Sequence, residues 1–582
     1  MSPSNDEMSA YDRLAAMVLS DASGTLLHAT GPQDEWISAH WKSFLPDGPT
    51  TSLSIYSGQR LPDGNIVSLI LKTSGEGKNN DNLDAFFAQL ILNQTTFATH
   101  PPTVLTAAEA EESASSAAAI TAIFDSYLRY QGKDDKWTAV GSSYFLVRVK
   151  RFTAKKARIE LCLPAFPCKS SNPNKVTGKS PDRGEWLALE RLHGFVEAVG
   201  KVYPPGALVW IISDGHVFSD CIGVDDADVD RYGEQLAEMN RTIGLASGRA
   251  DSVQFRSLVD LFCHPSNGED MDRLGLAALE HVLPTSMTDE AELCRRILMA
   301  GFQPQRTKVR AHIESGDSAV LALYRGFSRF MLEDLELHPF TQKMSRSKQK
   351  KLSSEVAFEM ILRNQAYSNL VELLFPHHLR LSIHAHNNAG PKFGIQLFDP
   401  ASVRVAKTLD PDSATMTTMD LLHIPTPWHN CVVRLGDRVV VTKSKTARDA
   451  VASGTLAGGL VQGGSRSGEY GGGGACFELH DPMILVAACQ NACDAAAARG
   501  EAKMPTVVEV VETTETTVIC HQVDGSNSEG GSSGGQFAKV GSSTWLSWLQ
   551  RLTSWWVWSR SSAHAMSGNP YHPQHKSQGL GA

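Results

Sequence analysis

Ten cysteines are spread singly through 582 residues, and no two of them stand as C-x-x-C. That pattern excludes a zinc ribbon and suggests no disulfide framework, so a reducing compartment is expected. Positive charge is not in excess either, the net charge being -9, which argues against general nucleic-acid binding because that mode needs a basic surface to release counterions. An anionic ligand would have to meet a local cationic pocket. Nowhere do eighteen consecutive apolar residues occur, and the first residues, MSPSNDEMSAYDRL, contain early acids and no apolar core. Neither a membrane span nor a secretory leader is indicated, and a cytoplasmic location is expected. What is present is ordinary globular material, 42% hydrophobic and 20% charged. It suffices for about three or four units, or for one large α/β domain with tails.

The chain divides into three stretches. Residues 1–112 mix short apolar runs (Leu53–Tyr56, Ile66–Leu71) with turns such as GEGKNNDN from Gly75, and read as an N-terminal extension or small appended layer. A break follows at Ala107–Ala119, which is either a linker or the start of a helix running into Ile120–Tyr130. Residues 113–482 alternate helix with strand. Asp182 is placed as an N-cap, after which Trp186, Leu189, Leu192, Val196 and Val199 share one helical face. Ala207–Ile212, ALVWII, lacks alternation and reads as a strand buried on both faces, followed by a turn at Asp214 and a helix from Asp226. Strand, polar turn, helix is the parallel α/β signature. Ser353–Leu374 reads as helix, and Arg380–His384, Phe393–Phe398 and Cys431–Leu435 as strands, so a mixed sheet is expected. Residues 483–582 are low in complexity, apart from the Trp-rich amphipathic segment 544–560, which suits either a membrane surface or a docking contact.

Polar chemistry concentrates beside the strand-like runs. In LPAFPCKSSNPNKV, Pro164 and Pro167 rule out helix, which leaves Lys169, Ser170 and Asn172 in a rigid loop at a strand end. Lys169 could hold an anion, form an imine or be a surface lysine. Gly178-Lys179-Ser180 imitates the end of a phosphate loop, but the first glycine of that motif would fall at Pro173. In SDGHVFSD, Asp214 ends a buried strand, where open α/β sheets bind ligands, with His216 and Asp220 close behind. A turn-capping role for Asp214 is the plain alternative. If Arg380–His386 is extended, then Arg380, Ser382, His384 and His386 alternate onto one face, a set suited to an anion and to acid/base work. His384, His386 and His429 could instead ligate a metal, although no carboxylate stands at ligand spacing. Asn387-Asn388-Ala389-Gly390-Pro391 is hairpin material leading to Lys392. His429 and Trp428 lie in TPWHN, just before another strand. The basic run KMSRSKQKK from Lys343 reads as a solvated helix start, and Tyr324–Ser328 and Cys263-His264-Pro265 as turns.

Taken in order, LPAFPCKSSNPNKV, ALERLHGF, YPPGA, SDGHVFSD, RLSIHAHNNAGPKFGI and TPWHN resemble the pyoverdine/dityrosine biosynthesis family of isocyanide synthases over about residues 115–480. The long extension and low-complexity tail look like a fungal version. The resemblance implies a Rossmann-like α/β fold and conversion of an amino acid's amino group to an isonitrile, with the carbon donated by ribulose 5-phosphate. It implies no redox cofactor and no metal, and a place in fungal secondary metabolite biosynthesis. On this reading Lys169, Arg380 and Lys392 hold the sugar phosphate and the carboxylate, with Asn172 and Asp220 also in the substrate site. Asp214 and His384 move protons, His386 and His429 support them, and Trp428 packs on the substrate. The chain departs from the pattern at His216, where arginine is expected, and at Cys168, where a larger apolar residue is usual. No iron-dependent oxygenase module is evident after residue 480, so downstream tailoring enzymes are expected partners. The competing readings are a tyrosine-modifying enzyme making formyl-tyrosine-type precursors for a dityrosine spore wall, a metal-dependent oxygenase, and a non-catalytic sugar-phosphate sensor.

Overall fold

A computed structural model describes residues 105–129, 134–262, 276–301, 306–375, 378–384, 387–409, 425–462 and 473–481, together with the backbone of three earlier strands. Those strands, β1 (Leu26–Thr30), β2 (Thr50–Arg60) and β3 (Ile66–Ser74), pair antiparallel in the order β1-β3-β2. The two apolar runs noted in the extension fall in β2 and β3. The tail, its Trp-rich segment and Cys263-His264-Pro265 lie outside the described residues.

Helix α1 (Ala107–Asp125) resolves the choice between linker and helix. Thr106 and Glu109 form a reciprocal capping box that satisfies its first N–H groups. It packs on α2 (Ser142–Thr153), the two being joined by a buried hydroxyl pair, Ser113 and Thr153, at 2.8 Å. Next come β4 (Ile159–Pro164), α3 (Arg183–Val202) and β5 (Ala207–Ile212). In α3 the expected cap at Asp182 forms, and Leu189, Leu192, Val196 and Val199 are buried on one face. The chain continues through α4 (Gly215–Ile222), α5 (Asp226–Ala246) and β6 (Val253–Arg256). A helical stretch follows, α6 (Leu258–Phe262), α7 (Asp289–Gly301), α8 (Arg306–Glu314), α9 (Ser318–Asp334) and α10 (Arg346–Leu374), ahead of β7 (Leu379–Ser382) and β8 (Lys392–Gly394).

These strands form an all-parallel sheet in the order β6-β5-β4-β7-β8. The chain steps outward from β4 to β5 and β6, then returns to the other side of β4 to lay down β7 and β8. Strand order therefore reverses between β4 and β7, and in open α/β sheets that reversal opens a crevice at the carboxyl ends. A second, mixed sheet comprises β9 (Val403–Val405), β10 (Cys431–Leu435), β11 (Arg438–Thr442), β12 (Ala457–Val461) and β13 (Cys476–His480), ordered β12-β13-β10-β11-β9, with α11 (Ser444–Ala452) between β11 and β12. Leu187 of α3 packs on the face of this sheet that carries Val432 and Val441. The chain is thus an α/β fold, a parallel sheet flanked by helices.

Three expectations are corrected. Tyr324–Ser328 is no turn but lies within α9, because Tyr324 and Phe327 pack against the main core and Ser328 returns its hydroxyl to the Tyr324 carbonyl at 2.8 Å. The Asn387–Pro391 stretch makes no hairpin, since β7 and β8 run parallel. Buried Asn388 instead pins this loop to the segment after α1, bonding the Arg129 carbonyl, the Asp135 carboxylate and the Gly394 N–H. Strand β7 also stops at Ser382, whose hydroxyl accepts the His384 N–H at 3.1 Å and turns the chain. The alternating polar face is therefore limited to Arg380 and Ser382.

Candidate active site

Asp214 stands at the carboxyl end of β5 and at the N-cap of α4, yet its side chain makes no capping bond. Its Oδ1 is shielded from solvent and accepts no hydrogen bond among the described residues. Burial pushes the carboxyl pKa up to about 6, a rise that a bond from its own backbone N–H and the Arg380 charge only partly offset. The position is fixed from beneath by Gly215, where a Cβ would come within 2.2 Å of the Pro167 carbonyl oxygen and 2.5 Å of Val229. Tyr367, on α10, donates its hydroxyl to the Ile212 carbonyl at 2.8 Å, two residues before Asp214.

Arg380 is in register with Cys162 across the β4/β7 reversal, and with Lys392 on its other side. Its Nη1 lies 3.9 Å from the Cys162 sulfur, while its Nε is shielded and donates to no acceptor among the described residues. Lys392 reaches Ser368 of α10 at 2.8 Å. The reversal therefore carries a raised-pKa carboxylate and a guanidinium close enough to interact electrostatically.

The loop leaving β4 joins this point to the TPWHN segment. Phe166 is buried with φ of 58°, a left-handed backbone that a bulky residue adopts only under constraint. Its carbonyl accepts the Ser213 hydroxyl at 3.0 Å, and its ring lies 5.0 Å from that of Trp428. Ser170 N–H donates to the Trp428 carbonyl at 2.9 Å. Beside it, Lys175 contacts the Asp334 carboxylate at 2.8 Å, Ser170 donates to the same oxygen at 2.6 Å, and His429 packs edge-on to Phe330. Asp334 Oδ2 and His429 Nδ1 are both shielded and without hydrogen-bond partners among the described residues. Burial drives the His429 pKa down to about 4 despite the Asp334 charge, so the imidazole is neutral near pH 7. Burial opposes ionisation of Asp334, but Lys175 and His429 outweigh it and hold that carboxyl below its ordinary value.

All four polar clusters thus meet around the carboxyl end of β4, but the individual side chains fare differently. Lys169 is fully inside, and its ammonium is taken by Asp182 at 2.9 Å, Glu185 at 2.7 Å and the Pro427 carbonyl at 3.0 Å. With all three N–H groups engaged, it ties the first loop to the cap of α3 and to TPWHN instead of presenting a charge to a ligand. Asn172 likewise spends its amide on the Glu333 carbonyl and the Asn174 N–H. Asp220 is buried in a two-point pairing with Arg363, with His281 at 2.7 Å, which keeps its carboxyl well below the usual range despite burial. Trp428 is buried in the main core. His384 is exposed just past β7, and His386 lies outside the described residues. Among the described residues no three His, Cys, Asp or Glu side chains stand together as a metal set. His216, one of the departures, sits 2.9 Å from Asp230 and gives its carbonyl to Arg295.

Sequence reasoning passed over Lys175, Asp334 and Tyr367. Lys175 was inside the first motif, six residues beyond Lys169. Asp334 and Tyr367 reach the site from α9 and α10, and no local pattern marks them.

Comparison with known proteins bears on this architecture. The family described as "Pyoverdine/dityrosine biosynthesis protein" matches residues 149–454. The chain is 46% identical over 57% of its length to the spore wall maturation protein DIT1 of Saccharomyces cerevisiae, of which the match spans 62%. It is 30% identical over 52% of its length to the L-tyrosine isonitrile synthase of Xenorhabdus nematophila, of which 76% is covered. Among solved structures, the PvcA protein from Pseudomonas aeruginosa matches at 26% identity with a TM-score of 0.47, covering 62% of this chain and all of the other. The chain belongs to the pyoverdine/dityrosine biosynthesis protein family, which includes isonitrile synthases.

Proposed function

We propose that the chain is an isonitrile synthase that joins the amino group of an aromatic amino acid to the carbonyl carbon of ribulose 5-phosphate. The observation that carries this reading is the uncapped Asp214 carboxylate beside Arg380 at the strand-order reversal. The chemistry begins with an ammonium that must lose a proton before its nitrogen can attack. Asp214, ionised above its pKa, takes that proton. As the new C–N bond forms, the carbonyl π bond opens and the oxygen acquires a proton. The C–O bond then breaks, water leaves, and the nitrogen gives up its last proton to form the imine. The bond from that carbon to C1 breaks with its electrons staying on the former carbonyl carbon, as C1 loses its hydroxyl proton and leaves as formaldehyde; the bond to C3 then breaks with its electrons going to the sugar-phosphate fragment, which takes up that proton, and the carbon left on nitrogen keeps a lone pair as the isonitrile. A carboxyl that titrates near 6 can both accept and return protons close to neutral pH. Arg380 holds the amino-acid carboxylate next to the reacting nitrogen. Neutral His429, with Lys175 and Asp334 behind it, offers a second proton acceptor on the other wall, and exposed His384 serves the mouth.

Tyrosine is the first amino acid to try, because the bacterial relative at 30% identity is named for it. A second outcome is a formylated tyrosine, which is also what hydration of an isonitrile gives; the yeast relative is named for spore wall maturation. Incubating the purified chain with ribulose 5-phosphate and each of the twenty amino acids, with infrared and mass detection, tests the proposal. A product carrying an isonitrile stretch, dependent on both substrates, supports it. A formamide formed without any isonitrile favours the second outcome, and sugar-phosphate binding without turnover of any amino acid rejects both.

A further inference from the structure

Arg129 follows α1 on a segment that runs along the free edge of β8. Its N–H bonds the Gly394 carbonyl at 3.0 Å, and neighbouring Leu128 bridges Ile395. From there the side chain crosses back over β8, and its Nη1 donates to the Ile383 carbonyl at 2.9 Å, one residue past the end of β7. The residue is only 6% exposed. Among the described residues its Nε and Nη2, both shielded from solvent, have no hydrogen-bond acceptor, and no carboxylate forms an ion pair with it. Burial alone lowers its pKa, to about 10, with no acid acting in the other direction. An unpaired buried cation is costly to keep, and other interior arginines here show the usual remedy. Arg295 is matched by Asp226 and Arg363 by Asp220.

Nε and one terminal nitrogen make up the edge of a guanidinium that takes two oxygens of one anion side by side. At Arg129 that edge is vacant, and its anchor lies three residues beyond Arg380 at the same end of the sheet. In the proposed reaction the amino-acid carboxylate is one carbon from the reacting nitrogen, so Arg380 beside Asp214 suits it. The pentulose phosphate lies several bonds from the reacting carbonyl. We infer that Arg129 is the binding residue for the phosphate group of the sugar-phosphate substrate, an assignment that rests on the proposed reaction. Arg129 precedes the stretch matched by the family, residues 149–454.

The test is direct binding to the full chain, without amino acid, of ribulose 5-phosphate, ribulose and inorganic phosphate, comparing wild type with Arg129→Met and Arg129→Lys. Wild type should prefer the phosphorylated sugar. Arg129→Met should bind it roughly tenfold or more weakly and lose most of that preference, while Arg129→Lys retains part of it. Amino-acid affinity should not change. The thermal midpoint of Arg129→Met without ligand should equal or exceed that of wild type, because an uncompensated buried charge is removed. Unchanged affinity for the sugar phosphate and for inorganic phosphate would overturn the assignment, as would a lowered midpoint with binding intact, which marks a structural arginine. Because binding is read without turnover, loss of the isonitrile reading and loss of this residue's role remain distinguishable.

Discussion

Asp214 ionises against its surroundings, and the direction of that cost can be read in two ways. Its pKa rises from 3.8 unfolded to about 6 folded. The folded chain therefore holds the proton more tightly between those values, and stability falls as pH climbs from about 4 to 6 and stays lower above. At neutral pH the penalty is on the order of 2–3 kcal/mol. Asp214→Asn should thus raise the thermal midpoint at pH 7 while reducing turnover by about a hundredfold or more. In the wild type, turnover should lose its acid side with a midpoint near pH 6, and the Asn variant should lose that inflection. A variant that melts earlier and keeps its turnover would contradict the assignment. His429 works in the opposite sense. Its pKa falls from 6.5 to about 4, so its contribution to stability is complete above about 6.5 and is lost as pH drops through that window. Stability lost between pH 6.5 and 4 should be recovered in part by His429→Gln, as followed by melting at several pH values.

At the scale of elements, the loop leaving β4 is held by buried ions, and this can be tested apart from chemistry. Lys169→Met leaves Asp182 and Glu185 inside without their cation, at a cost of about 3–5 kcal/mol. The expected result is a large fall in thermal midpoint. A normal midpoint with weakened substrate binding would instead restore Lys169 to a ligand-holding role. Gly215→Ala should fail differently. Its Cβ cannot coexist with the Pro167 carbonyl at 2.2 Å, so α4 and the loop must part. We expect a loss of about 1–3 kcal/mol and a larger fractional loss of activity, because Asp214 is the adjacent residue. The same elements show what could be read beforehand. Helix α3 was legible because cap, periodic apolar face and terminating Tyr203-Pro204-Pro205-Gly206 all agree locally. Asp214 was legible because it ends an apolar strand. The fate of Lys169 was not, because its partners reach it only when the cap of α3 folds back on the loop. The Asn387–Pro391 loop misled for a similar reason: Asn388 answers to Arg129 and Asp135, more than 250 residues earlier.

For the whole molecule, a chain of net charge -9 assembles cations at one end of its parallel sheet. Arg129, Lys175 and Arg380 are brought there from three distant stretches, Lys175 being matched by Asp334; the proposed substrates carry a carboxylate and a phosphate. None of the described helices is long and apolar enough to cross a membrane. Strand order reverses between β4 and β7, the place where open α/β sheets form a ligand crevice, and Asp214 and Arg380 stand at it. The fate of one atom separates the outcomes of the proposed reaction. The full chain is incubated with tyrosine and ribulose 5-phosphate carrying carbon-13 at C2, and the product is read by carbon nuclear magnetic resonance and infrared absorption. The label should appear in an isonitrile carbon attached to the former amino nitrogen, and Asp214→Asn should abolish it. Label that stays in the sugar phosphate with wild-type protein, across all twenty amino acids, would contradict the proposed reaction.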